Sequence, residues 1–151
     1  MPVVTRKRRI EAPRDRIWEV VADPHSLPRW WPRLQRVEEV SSDAWTKVLT
    51  SDRGKPIRAD WTRTAAEAPA RLEWRQELVE TPFERLLSRS ELTIGLQESG
   101  AATEVSLTAT EKLRGLARLG RVMVRRAARK RLDDALDGLE RAVGAGGDTS
   151  S

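Results

Sequence analysis

The 151-residue chain has no cysteine, no tyrosine, one phenylalanine and one histidine. Without cysteine there can be no disulfide, no thiolate-bound zinc, no iron–sulfur cluster and no thiol nucleophile. His25 stands alone, which excludes a histidine-rich metal site, and no set of carboxylates has the spacing of a calcium-binding loop. Neither a metal nor a cofactor is expected. No stretch approaches the roughly 20 consecutive apolar residues that span a bilayer. The opening Met1-Pro2-Val3-Val4-Thr5-Arg6 lacks a hydrophobic signal region, so the expected location is the cytoplasm. No internal repeat or linker interrupts the chain. The expectation is one domain over residues 1–144, long enough to bury a single core, followed by a disordered tail at 145–151.

What is present is unevenly distributed. Six tryptophans supply nearly all the aromatic surface, each a large apolar plate with a single N–H donor. The formal net charge is only +5. Yet residues 114–131 carry eight basic groups (Arg114, Arg118, Arg121, Arg125, Arg126, Arg129, Lys130 and Arg131) and no acid. The sign then reverses, with Asp133, Asp134, Asp137 and Glu140 against Arg141.

Hydrophobic periodicity orders the elements. Residues 2–11 read as a strand rich in Val, Thr and Ile. Ala12-Pro13 breaks it, and Ile17, Trp18, Val20 and Val21 give an apolar face that predicts a helix at 14–22, with proline suited to the first turn. Asp23 is a good N-cap for a second short helix at about 24–31, which Pro28 and Pro32 keep short. After Pro32 the period becomes two, and strands are expected at 34–41, 44–51, 56–64, 71–79, 85–96 and 103–112. Polar or glycine-bearing turns separate them. In the sixth of the seven strands, Leu86, Ser88, Ser90 and Leu92 are expected to share one face. From Leu113 onward the period is helical. Leu116, Leu119, Met123 and Ala127 form one stripe; Leu132, Leu136, Leu139 and Val143 form another, roughly 150° away. A bend near Gly120 or a shift of the buried side is therefore expected, and Gly144-Ala145-Gly146-Gly147 is expected to end the helix.

Six consecutive strands with short turns make an antiparallel meander. Each has one apolar face, and only the C-terminal helix is long enough to cover them. The expected fold class is α+β, a helix-grip arrangement of a seven-stranded curved antiparallel sheet around a long C-terminal helix, with two short helices between strands 1 and 2. One helix does not fill such a concavity, so a hollow between sheet and helix is expected.

The stretch from Ile10 to Pro24, with Ala12-Pro13 before the first helix and Asp23-Pro24 after it, is followed by Leu27-Pro28-Arg29-Trp30-Trp31-Pro32. This opening resembles that of the START-like superfamily (SRPBCC), closest to its polyketide cyclase/dehydrase and lipid-transport group, and the similarity extends over the chain in element order. The resemblance implies a pocket for a hydrophobic or polycyclic small molecule, such as a lipid, a polyketide or a quinone-like compound. For a cyclase or dehydratase it implies a mechanism in which the pocket holds a poly-β-ketone folded and proximity does most of the work.

Strand parity places the candidate ligand-binding residues. Trp61, Trp74, Leu78, Leu92 and Leu107 fall on apolar faces, and Met123 lies on the helix opposite; these are candidate walls. Gln76, Ser88 and Ser90 share those faces and are candidate polar anchors, because a buried polar group without a partner costs about 1–3 kcal/mol. A ligand carbonyl or hydroxyl is one such partner; water, backbone or each other are the alternatives. Arg63 and Glu111 continue two of these faces toward strand ends and are the candidate acid–base groups. Of Trp30 and Trp31, one is expected in the core and the other at the lip of the cavity. His25 reads either as a base oriented by Asp23 or as part of a capping turn. The basic run reads either as a solvated helix face or as a patch (Arg118, Arg121, Arg125 and Arg129) that contacts an anionic membrane or nucleic acid such as ribosomal RNA. Oligomeric state is not encoded in any of these patterns.

Overall fold

The computed structural model describes residues 3–115 and 120–149, with side chains up to residue 144. The elements in chain order are β1 (Val3–Ile10), α1 (Arg14–Val21), α2 (Leu27–Trp30), β2 (Leu34–Glu38), β3 (Ala44–Thr50), β4 (Pro56–Glu67), β5 (Arg71–Gln76), β6 (Leu87–Ser99), β7 (Ala102–Leu113) and α3 (Arg121–Thr149). Short 3-10 turns at Pro24–Ser26 and Pro82–Arg85 complete the chain. The seven strands form one antiparallel sheet in the order β1-β7-β6-β5-β4-β3-β2. This is the meander with its first strand returned to the far edge, and the expected helix-grip architecture is the one observed.

Local chemistry sets the boundaries. Pro13 sits extended ahead of α1, which buries Ile17 and Val21. The Asp23 carboxylate accepts the His25 backbone N–H at 3.0 Å and caps the turn at Pro24–Ser26. His25 is exposed and belongs to that turn. Register shifts at Leu34/Arg36, Arg63/Ala65 and Leu87/Arg89 insert extra residues that bend and twist the strands. The third shift corrects the expected face of β6. Leu86 and Ser88 are exposed, and the inward set is Leu87, Ser90, Leu92, Ile94 and Leu96, because the bulge changes strand parity once between Leu87 and Ser90.

α3 lies across the concave face. Its buried stripe is Ala128, Leu132, Ala135, Leu136, Leu139, Ala142 and Val143, one face at helical spacing. The expected stripe through Met123 and Ala127 lies on the other side, and both residues are exposed; Leu116 and Leu119 lie outside the described residues. Traced back toward the N-terminus, the buried stripe arrives at Arg125 and Arg121, which are exposed. On the same face of the first turns, Val124 is partly buried against Leu78, Leu87 and Leu113, while Arg121 and Arg125 beside it reach solvent. The helix also runs through Gly144-Ala145-Gly146-Gly147 to Thr149, past the expected stop at Gly144 and into the segment expected to be a disordered tail. Glycine lowers helix propensity by about 1 kcal/mol but does not forbid a helix. Residues 150 and 151 lie outside the described residues.

The charge reversal in α3 has a structural role. Val4, Arg6, Arg8 and Ile10 alternate onto one face of β1. Arg6 meets Asp133 at 2.8 Å, and Arg8 meets Asp137 at 2.5 Å and Glu140 at 3.5 Å. Elsewhere α3 approaches α2 so closely that a Cβ at Gly138 would collide with the Trp30 carbonyl oxygen and stand 2.9 Å from the Trp30 carbonyl carbon and Cα. Only glycine fits that crossing. No helix among the described residues is long and apolar enough to cross a membrane.

Candidate functional site

The site is built by strand register. On β3, Trp45, Lys47 and Leu49 share the concave face, with Trp45 opposite Trp61 and Lys47 opposite Ala59 of β4. Trp61 in turn faces Gln76 of β5. On β6 and β7, Leu92 faces Ala109 and Ser90 faces Glu111. All of these side chains except Trp45 line a hollow of about 150 Å³ between the sheet and α3, with Trp31 from the end of α2 and Arg131 from α3 completing its wall. Two alanines, Ala59 and Ala109, stand where larger residues would close the space. At one end Phe83 and Leu87 line it, backed by Leu78, Leu113 and Val124 in a small cluster separate from the main core.

Lys47 is the unusual member. It is only 1% exposed, and its Nζ is buried with no hydrogen-bond partner among the described residues. Three indole rings surround it, with centroids at 3.8 Å (Trp31), 4.4 Å (Trp61) and 5.3 Å (Trp74). Cation–π attraction of about 2 kcal/mol in a desolvated site would favour the ammonium form. Burying an ammonium without a counter-ion costs several kcal/mol, so desolvation wins. Burial, reinforced by the positive charge of Arg131, holds the Lys47 amine well below the usual lysine range.

The remaining polar groups are also inward. Gln76 and Ser90 are buried and line the hollow. Arg131 reaches Glu111 at 3.0 Å, so that a carboxylate and a guanidinium share one part of the wall. The Trp61 indole N–H is buried with no partner among the described residues.

Of the residues expected to bind ligand, Trp61, Gln76, Ser90 and Leu92 come together around the hollow, as does Glu111. Trp74 lies behind the wall and packs edge-on against Trp45 at 5.1 Å between centroids. Leu78 belongs to the small end cluster and Leu107 to the main core. Three expectations are corrected. Ser88 is exposed because of the β6 bulge. Met123 is 76% exposed because it lies off the buried face of α3. Arg63 does not face the hollow; it donates from Nη2 to the Ala22 carbonyl at 2.5 Å and closes the C-terminus of α1. Trp31 is the cavity-lining member of its pair, and Trp30 is in the core. In the basic run, Arg118 lies outside the described residues, Arg131 enters the site, and Arg121, Arg125 and Arg129 are exposed.

The residue that sequence reading missed is Lys47. Its signal was present: in Trp45-Thr46-Lys47-Val48-Leu49 the lysine has the parity of the tryptophan and the leucine, which places a cation on an apolar strand face.

Residues 1–144 match the model of a family described as polyketide cyclase/dehydrase and lipid transport. Solved structures share the fold. TTHA0849 from Thermus thermophilus superimposes with a TM-score of 0.78 at 24% identity, covering 96% of this chain and 99% of that one. A START superfamily protein from Mycobacterium smegmatis gives 0.79 at 13% identity, covering 95% and 97%. The di-domain ARO/CYC protein BexL of the BE-7585A biosynthetic pathway gives 0.78 at 23% identity, covering 95% of this chain and 47% of BexL. No match is found among the curated proteins.

Proposed function

The chain belongs to the polyketide cyclase/dehydrase and lipid transport family, and on that premise we propose that it binds a small apolar molecule, about one ring in size, in the hollow between the sheet and α3. The observation that carries this reading is the combination of tryptophan and leucine walls with the buried polar side chains Lys47, Gln76 and Ser90 among the lining residues. Small-molecule sites have this composition, apolar walls with a few placed anchors. Size narrows the ligand. An apolar cavity of about 150 Å³ accepts benzene, whereas drug-sized ligands occupy roughly 300–1,000 Å³. The hollow is about 150 Å³, so a three- or four-ring polyketide or a long acyl chain does not fit without repacking. Ring closure or dehydration is the activity this arrangement suits, with confinement supplied by the walls and a carboxylate by Glu111.

Titration of intrinsic tryptophan fluorescence tests the reading, since Trp31 and Trp61 line the hollow. Single-ring aromatic compounds should quench or shift the emission saturably, and a planar four-ring compound should not. A response to neither, or to the large compound alone, would overturn the proposal.

A second reading concerns the exposed side of the first turns of α3. Val122 and Met123 are 72% and 76% exposed among exposed Arg121, Arg125, Arg126 and Arg129. Apolar side chains beside arginines favour an anionic bilayer surface over nucleic acid, which needs the charge alone. Vesicles containing phosphatidylglycerol should retain the protein on sedimentation, and phosphatidylcholine vesicles should not. Joint reversal of Arg121, Arg125 and Arg129 to Glu should abolish retention; equal retention of the reversed protein would count against this reading.

A further inference from the structure

We propose that Lys47 is a nucleophilic amine that condenses with an aldehyde or ketone held in the hollow and forms a Schiff base. The inference rests on the ligand-binding reading above and adds a substrate class to it, small carbonyl compounds, together with a covalent step.

Structural lysines either carry their charge out to water along an aliphatic stem or, when buried, find a partner. Lys47 does neither. No acid pairs with it among the described residues, and Glu111 on the same wall is engaged by Arg131. Methionine or leucine would fill the space among the three indoles without leaving a buried donor unsatisfied. Lys7, Lys55, Lys112 and Lys130, by contrast, are all exposed. A lysine desolvated in an apolar pocket beside a second cationic group is the recognised setting for an amine that attacks carbonyls at neutral pH. Burial and Arg131 act in that direction on Lys47.

The step balances without any further reactant. The lone pair of Nζ adds to the carbonyl carbon. Both amine protons pass to the carbonyl oxygen, which leaves as water, and a C=N bond replaces C=O. Trp61 is the least buried of the three rings, so the carbonyl would approach Nζ from its side. Once protonated, the imine is a delocalised cation that the flanking indole faces favour. It withdraws electrons from the adjoining carbon and eases loss of an α-proton, the event from which aldol closure or dehydration proceeds.

The test uses benzaldehyde with sodium cyanoborohydride at pH 7, followed by intact-mass measurement and peptide mapping of the full chain. Benzyl alcohol, which has the same ring and no carbonyl, serves in parallel fluorescence titrations. The expected result is one added benzyl group, on Lys47, in preference to the four exposed lysines, and no such adduct in Lys47→Met. Quenching by both compounds with no adduct on Lys47 would overturn the Schiff base and leave the binding reading standing. Absence of quenching by either compound would overturn both. The wild-type peptide map decides the matter by itself, so the result does not depend on the variant folding.

Discussion

Replacing Lys47 by methionine isolates the energetic consequence of the site. The two side chains are close in volume, so the indole cage stays filled and the change is chiefly the removal of a buried amine. In the unfolded chain the lysine titrates near 10.4. In the folded chain, burial and Arg131 set it well below that. Between the two values the unfolded chain holds a proton that the folded chain lacks. Stability therefore rises with pH across that window, by about 1.4 kcal/mol per unit, and levels off above about 10.4. Below the window the folded state carries an unpaired buried ammonium and the penalty is complete. Methionine removes both the slope and the penalty. The variant should be more stable than the wild type at neutral pH, and the difference should shrink as pH rises through the window toward about 10.4. Urea melts at unit steps from pH 7 to 10, followed by circular dichroism, supply the curves. Cysteine and tyrosine, which would also titrate in this range, are absent from the chain. Parallel stability-versus-pH curves for the two proteins would mean instead that Lys47 keeps an ordinary affinity for its proton inside the fold.

Gly138→Ala drives a methyl into the Trp30 carbonyl oxygen and places it 2.9 Å from two further backbone atoms. It should cost about 2 kcal/mol or more, read as a lower urea midpoint. Ala109→Leu fills part of the hollow and should abolish the fluorescence response to single-ring ligands while Tm moves by only a few degrees. Arg8→Ala removes the pairs to Asp137 and Glu140 on the partly exposed β1–α3 seam. Its cost should be about 0.5–1 kcal/mol in low salt and should fall toward zero in 1 M NaCl, where screening acts over about 3 Å.

The fold was legible because its signals are periodic and redundant. Alternation in Leu72, Trp74 and Gln76, or in Val105, Leu107 and Ala109, fixes a strand and its inner face without knowledge of its neighbours. Proline and aspartate at Pro13, Asp23 and Pro24 punctuate the short helices. The errors arose where one local event resets the count. The bulge between Leu87 and Arg89 turned Ser88 outward, and no sequence pattern distinguishes that extra residue from a regular one. On α3 the stripe through Met123 was apolar enough to suggest a core face. In the first turns only Val124 meets the sheet, against Leu87 and Leu113, and this tertiary fact leaves arginines exposed at positions 121 and 125 of the same face. The site was half legible. Trp61, Gln76, Ser90 and Leu92 follow from parity alone. Lys47 required the further step of treating a charge on an apolar face as informative. Arg131 looked like one more member of a basic run until the fold turned it toward Glu111.

A crystal soaked with 4-bromobenzaldehyde and measured at the bromine absorption edge should show an anomalous bromine peak inside the hollow, bounded by Trp61, Ser90, Leu92 and Ala109. A peak confined to the outer surface, or none at saturating ligand, would contradict ligand binding in the hollow.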